Sequence, residues 1–275
     1  MMQRTPYPDI DKLLNDLLHQ IRQILGKKLV GLYLYGSLVT GDFDRGVSDF
    51  DLLAATRTDI DGKEFDRLQE LHLDFTNNHP EWDNRIEIAY LSVAGLKTFK
   101  TQESKMAVIS PGEPFHFKGA GKEWLINWWQ VRERGRTLYG PDPKTLIEPI
   151  SQEEFLDVVR EHTQHWREWV KDFRSRKGQA YARLTLCRAL YAAQNGEQVS
   201  KRRAALWAQD GLPEQARLIE QALEWRTAED DQGIDHEATL PETESFVHFM
   251  IDQVEAVLSE RYMSTGTKAA SGGRG

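Results

Sequence analysis

Two aspartates, Asp49 and Asp51, stand either side of Phe50 in SDFDLLAAT, shortly after the apolar run LVGLYLYG closes on Gly36 and Ser37. Alternate side chains of a strand share a face, so carboxylates at this spacing project together, about 7 Å apart along the chain. Their mutual repulsion is relieved by a cation, and a divalent metal carrying phosphate oxygens answers that need. Gly36 has no Cβ and lets backbone approach a triphosphate, while the Ser37 hydroxyl and nearby N–H groups can bond phosphate oxygens. These are the parts of nucleotidyl transfer: carboxylates hold magnesium, magnesium holds the triphosphate, and a hydroxyl attacks the α-phosphorus in line with departing pyrophosphate. Glu87 in RIEIAYLS is a third carboxylate on a strand. It could complete the metal site or remove the hydroxyl proton, and between Ile86 and Ile88 it could equally be the solvent face of an edge strand.

Each piece alone is weak, since Gly-Ser is a common turn and Asp-x-Asp a common loop. Together, after one apolar strand and inside another, they are harder to dismiss, because an aspartate buried without a partner costs several kcal/mol. Other candidates fall away. GAGKE, 119–123, lacks the first glycine of a phosphate loop, having His116 there, and has Glu123 where Ser or Thr belongs, so it reads as a loop. His162 and His165 of HTQH have a spacing that reaches one metal, but Val159 and Trp166 beside them favour a packed helix face. Cys187, the single cysteine, lies in an apolar helical pattern and reads as a buried small hydrophobe.

The elements that must position these residues follow from periodicity. DIDKLLNDLLHQIRQIL, 9–25, has a helical apolar repeat ended by Gly26, and 63–78 returns to helical spacing after the two strands LVGLYLYG and SDFDLLAAT. RIEIAYLS, 85–92, alternates as a strand. YGPDPKTLIEPIS, with its prolines and glycine, reads as a connection between domains. Beyond it Ser151 and Glu154 make a capping box, apolar positions run along one helical face to Phe173, and further helices are predicted at 179–194, 200–209, 213–226 and 242–261. The expected organisation is an α/β N-terminal domain with a mixed sheet over 1–145, an all-α helical bundle over 146–262, and a disordered tail over 263–275.

Composition sets the outer limits. With 275 residues, 40 % of them hydrophobic, the chain has enough material for packed cores in one large or two ordinary domains. No apolar run approaches the ~20 residues of a membrane span, and MMQRTPYPDIDKLL lacks a secretory signal, which together predict a cytoplasmic protein. The net charge of −8 disfavours nucleic acid, whose binding needs a basic footprint, and suits a cationic small molecule.

The string GSLVTGDFDRGVSDFDLL resembles the signature of the polymerase-β-like nucleotidyltransferase superfamily. RERGRTLYGP at 132–141, LTLCRALYAAQNGEQVSKRRAALWAQDGLP at 184–213 and ESFVHFMIDQVEAVL at 244–258 extend the resemblance to bacterial aminoglycoside adenylyltransferases that modify streptomycin and spectinomycin. The resemblance implies ATP as co-substrate, Mg2+, and a site to which both domains contribute. Carried over by position, Gly36 and Ser37 match phosphate-loop residues, Ser48 precedes the metal pair, Asp49 and Asp51 match metal ligands, and Glu87 matches the catalytic base. Arg188 and Lys201 match basic residues that contact nucleotide phosphates. One departure bears on the acceptor: Gly178 stands where the family has an acid that contacts the drug. The region 99–125 also differs, and Trp124, Trp128 and Trp129 cannot be assigned to the family's drug-stacking tryptophan. The reading is therefore AMP transfer to an aminoglycoside-type hydroxyl. Its alternatives are the same chemistry on a lincosamide, metabolite or protein side chain, or a nucleotide-binding sensor without turnover.

Overall fold

A computed structural model describes residues 4–228 and 235–271, with the side chains of 264–271 left aside. The chain divides into two compact units between Ile150 and Ser151. That junction lies within the proline-rich connection and a few residues beyond the expected boundary at 145.

The first unit opens with α1 (Pro8–Leu25), whose apolar stripe Ile10, Leu14, Leu17, Leu18, Ile21 and Leu25 is buried and which ends on Gly26 at φ 52°. There follow β1 (Leu29–Tyr35), a one-turn helix α2 (Ser37–Thr40), β2 (Phe50–Thr56), α3 (Gly62–Asn78), β3 (Ile86–Ser92), α4 (Val93–Thr98), β4 (Ser104–Ser110), β5 (Glu113–Ala120), α5 (Leu125–Arg134) and β6 (Arg136–Tyr139). The strands form one sheet in the order β5-β4-β3-β2-β1-β6. Only β2 and β3 run parallel, and α3 supplies the crossover that a parallel pair requires. Leu68, Leu71 and Phe75 of α3 join the α1 stripe and Leu32, Leu34, Leu52, Ala54, Ile86 and Ile88 of the sheet in one core.

Several expectations change. Asp49 precedes β2 and lies in the loop that leads into it, so only Asp51 of the pair is a strand residue. The edge-strand reading of Glu87 fails because β3 is internal, flanked by β2 and β4. The structure adds the hairpin β4–β5, in which Phe115 and Phe117 alternate with His116 and Lys118. GAGKE is not wholly loop, since Gly119 and Ala120 end β5 opposite Lys105 and Ser104.

The second unit is helical: α6 (Gln152–Trp169), α7 (Arg176–Asn195), α8 (Lys201–Gly211), α9 (Ala216–Thr227) and α10 (His236–Ser271). The predicted capping box is present, with the Ser151 hydroxyl accepting from Glu154 N–H and the Glu154 carboxylate accepting from Ser151 N–H. Arg183 of α7 is fully buried and ties three helices, donating to Gln221 Oε1 at 2.7 Å, Leu218 O at 3.2 Å and Thr243 Oγ1 at 2.7 Å. The HTQH residues pack as an aromatic face: Trp166 Nε1 donates to His162 Nε2 at 3.3 Å, and the His165 ring stacks on Trp169 at 5.2 Å. Cys187 is buried, and burial pushes its thiol up to about 12. The segment expected to be a disordered tail is partly helical, since α10 continues to Ser271, and 272–275 lie outside the described residues. No described helix is long and apolar enough to cross a membrane.

Candidate active site

The site is built where β1 ends. In the antiparallel β1–β2 pair Tyr35 faces Asp51, and in the parallel β2–β3 pair Asp51 faces Glu87, so the three residues occupy one row across three adjacent strands. Residues directly opposite across a sheet share a face. That places Asp51 between a phenol and a second carboxylate.

Gly36 follows Tyr35 and turns the chain at φ +71°, in the left-handed region that glycine tolerates. A Cβ added there would lie 1.8 Å from Asp51 Oδ2, so the backbone at Gly36 is pressed against the carboxylate. Ser37 then begins α2, and its Oγ is buried with no hydrogen-bond partner among the described residues. An orphaned buried hydroxyl beside a glycine turn and a carboxylate fits an anionic ligand with acceptor oxygens.

Asp49 is held by the loop that precedes β2. Asp44 O accepts from Ser48 N–H at 2.8 Å, Ser48 Oγ accepts from Asp44 N–H at 2.9 Å, and Arg85 Nε donates to Ser48 O at 3.1 Å. Ser48 is buried, and these bonds make it a brace of the loop. The Arg85 guanidinium lies 4.5 Å over the Trp82 ring, which stacks on Phe50 at 3.9 Å. Burial lowers the Arg85 pKa, and the charge of Asp49 opposes that fall. Asp49 thus reaches the site end of β2 on a loop braced against a stacked Phe50–Trp82–Arg85 pile.

Glu87 is half-buried, and its Oε1 accepts the Tyr35 hydroxyl at 2.7 Å. Asn127 of α5 donates to the Tyr35 oxygen at 3.4 Å and to Glu87 Oε1 at 3.5 Å. Burial raises the Tyr35 phenol well above its ordinary value, and Glu87 and Asp51 add to the rise. The phenol therefore stays protonated and donates.

The carboxylates supply hard oxygen ligands of the kind Mg2+ takes. Among the described residues no three or more acidic, histidine or cysteine side chains converge as a metal cage.

In the helical unit Arg188 is half-buried on α7 near His162, whose imidazole is held down at about 4, first by burial and then by the Arg188 charge. Lys201 opens α8, with its ammonium 3.8 Å over the Tyr181 ring. Trp124 stacks on the buried Trp128 at 5.4 Å, and the Arg134 guanidinium covers Trp129. Tyr35, Asn127 and Arg85 were not singled out in the sequence. Tyr35 carried a signal, since it ends the strand immediately before Gly36, whereas nothing local marks Asn127 or Arg85.

Residues 16–108 match the nucleotidyltransferase domain model, and residues 145–253 match the model of the aminoglycoside adenylyltransferase C-terminal domain. The first stretch is thus similar to a nucleotidyltransferase domain and the second to the C-terminal domain of aminoglycoside adenylyltransferases. The chain is an enzyme of the nucleotidyltransferase class. Among the relatives to which the chain is similar, an aminoglycoside (3'') (9) adenylyltransferase of Escherichia coli is 23% identical over 94% of this chain and 100% of its own length. Its Klebsiella pneumoniae namesake is 23% identical over 90% of this chain and 95% of its own. The fold is shared with a spectinomycin adenyltransferase from Enterococcus faecialis, solved with ATP and spectinomycin: TM-score 0.72 and 16% identity, over 89% of this chain and 99% of that one.

Proposed function

We propose that this enzyme transfers AMP from Mg-ATP to a hydroxyl of a cationic aminoglycoside of the streptomycin or spectinomycin kind, releasing pyrophosphate, in the cytoplasm. The observation that carries the reading is the row Tyr35, Asp51, Glu87 with Gly36 pressed against Asp51. Asp49 and Asp51 hold the metal. When bound, Mg2+ neutralises the triphosphate and stabilises the charge that develops as pyrophosphate leaves. The Ser37 hydroxyl and the backbone beyond Gly36 donate to phosphate oxygens, and Ser48 keeps Asp49 in place. Glu87 receives the proton of the attacking acceptor hydroxyl. Arg188 and Lys201 offset phosphate charge. The net charge of −8 favours encounter with a cationic acceptor.

A second reading keeps the chemistry and changes the acceptor to a lincosamide, a metabolite or a protein side chain. Gly178 favours it, because the family's drug-contacting acid is missing, and a Cβ there would already lie 3.1 Å from Ser175 Oγ and 3.2 Å from the Phe173 carbonyl carbon. Incubating the full chain with Mg-ATP and a panel of aminoglycosides and lincosamides, with products read by mass spectrometry and pyrophosphate assayed in parallel, tests both. An adenylylated aminoglycoside is expected. A product only with other acceptors shifts the substrate class, and no pyrophosphate with any acceptor overturns transfer in favour of a nucleotide sensor.

A further inference from the structure

The strongest unassigned feature of the molecule is the bonding of Glu87. A carboxylate that must accept a proton at one point in space needs its rotamer held, because a small misplacement of a reacting group has a large cost in rate. Here the holding group is a phenol. Tyr35 lies directly across the row, only 2 % exposed, and its hydroxyl is anchored on Glu87 Oε1 at 2.7 Å. Beside the phenol, closing a triangle with it on that oxygen, comes the Asn127 amide on α5, 3.5 Å from Glu87 Oε1 and 3.4 Å from the Tyr35 oxygen. A strand phenol and a helix amide therefore converge on one carboxylate oxygen.

The phenol is also well placed for this purpose because it is closed to other work. The side chain is buried and its hydroxyl is committed to Glu87 Oε1 as acceptor, so it is set to donate to that carboxylate. Tyr35 is the last residue of β1, paired with Asp51 of β2, so the donor springs from the sheet and not from a loop.

Resting on the nucleotidyl-transfer reading above, we infer that Tyr35 and Asn127 are positioning residues that hold the Glu87 carboxylate for proton abstraction, acting on the chemical step through Glu87 alone. Nothing in their role touches nucleotide binding. Tyr35→Phe keeps the ring and its packing and removes only the hydroxyl, so the chain keeps its fold while the carboxylate loses its anchor.

The test is a double-mutant cycle on the full chain with Mg-ATP and an acceptor that the wild type adenylylates. Tyr35→Phe is expected to lower kcat by roughly 10- to 100-fold with KM for Mg-ATP within about twofold of wild type, and Asn127→Ala to lower kcat less, in the same pattern. In a Glu87→Gln background, adding Tyr35→Phe should change kcat by less than about twofold, because a residue that acts only through the lost carboxylate has nothing further to remove. Circular dichroism and thermal melting on each variant separate a folding defect from a positioning one, and Asn127→Ala carries the test if Tyr35→Phe melts early. Unchanged kcat in both single variants, or a full additive loss in the Glu87→Gln background, overturns the inference and leaves nucleotidyl transfer standing. A wild-type chain that releases no pyrophosphate with any acceptor overturns the transfer reading, and the inference with it.

Discussion

At the scale of single residues the site rests on charge held at close quarters. Asp51 is in register with Glu87 and touches the backbone at Gly36, so a cation is the natural partner of the Asp49–Asp51 pair. Replacing either aspartate by asparagine should lower turnover by at least about 100-fold, the usual scale for removing one electrostatic stabiliser, and steady-state assays with saturating Mg-ATP measure it. Glu87→Gln separates roles: as the base it should lower kcat by roughly 10²- to 10⁴-fold with little change in Mg-ATP affinity by calorimetry, whereas a metal ligand would lose both. Gly36→Ala meets two obstacles at once, a left-handed φ of +71° and an Asp51 oxygen 1.8 Å from the new Cβ. It should cost about 1–3 kcal/mol in urea unfolding and abolish turnover, because Asp51 must move. A different residue governs acid stability. His72 is buried against Tyr90, and burial depresses its imidazole from 6.5 to about 3. Above pH 6.5 neither folded nor unfolded chain protonates it. As the pH falls from 6.5 toward 3 the unfolded chain alone takes the proton, so stability is lost across that window. His72→Gln should flatten the fall of unfolding free energy between those limits.

At the scale of elements, the helices are set by their ends and the strands by their neighbours. The Ser151–Glu154 capping box fixes where α6 begins, and Ser151→Ala should destabilise the protein by about 1 kcal/mol in thermal or urea unfolding without altering Mg-ATP binding. The strands β1, β2 and β3 are different in kind. Their apolar content marked them as strands, but the role proposed for them depends on register, since a shift of one residue would turn Asp51 away from both Tyr35 and Glu87. The parallel β2–β3 pairing is what brings Glu87 level with Asp51, and it depends on α3 carrying the chain back to the start of the sheet.

For the whole molecule, the proposed division of labour follows the two units. The acidic groups and the glycine turn belong to the unit ending at Ile150, and Arg188 and Lys201 belong to the unit beginning at Ser151. A fragment of residues 1–150 has its own sheet and core and should fold, with a cooperative thermal transition. It should bind Mg-ATP much more weakly than the full chain, because the basic side chains proposed to offset the triphosphate charge are missing. Calorimetry that finds equal affinity in fragment and full chain would remove Arg188 and Lys201 from the phosphate site.

Sequence alone determined the features that local physics can write. The amphipathic period of α1 and its glycine stop, the capping box of α6, the apolar strands β1 to β3 and the Gly-Ser turn followed by Asp-x-Asp are all set by residues within a few positions of one another. What depended on distant pairing was beyond it. Asp49 lies in a loop because Arg85, from the far side of α3, grips the Ser48 carbonyl. Glu87 is internal because β4 pairs with β3, a partnership between strands that neither strand's own pattern encodes. The Tyr35–Glu87–Asn127 cluster joins residues 52 and 40 positions apart, a contact that no periodicity encodes. Neighbouring residues constrain one another through the backbone and so write their structure into local pattern, whereas a hydrogen bond across a sheet exists only once the strands have found their register.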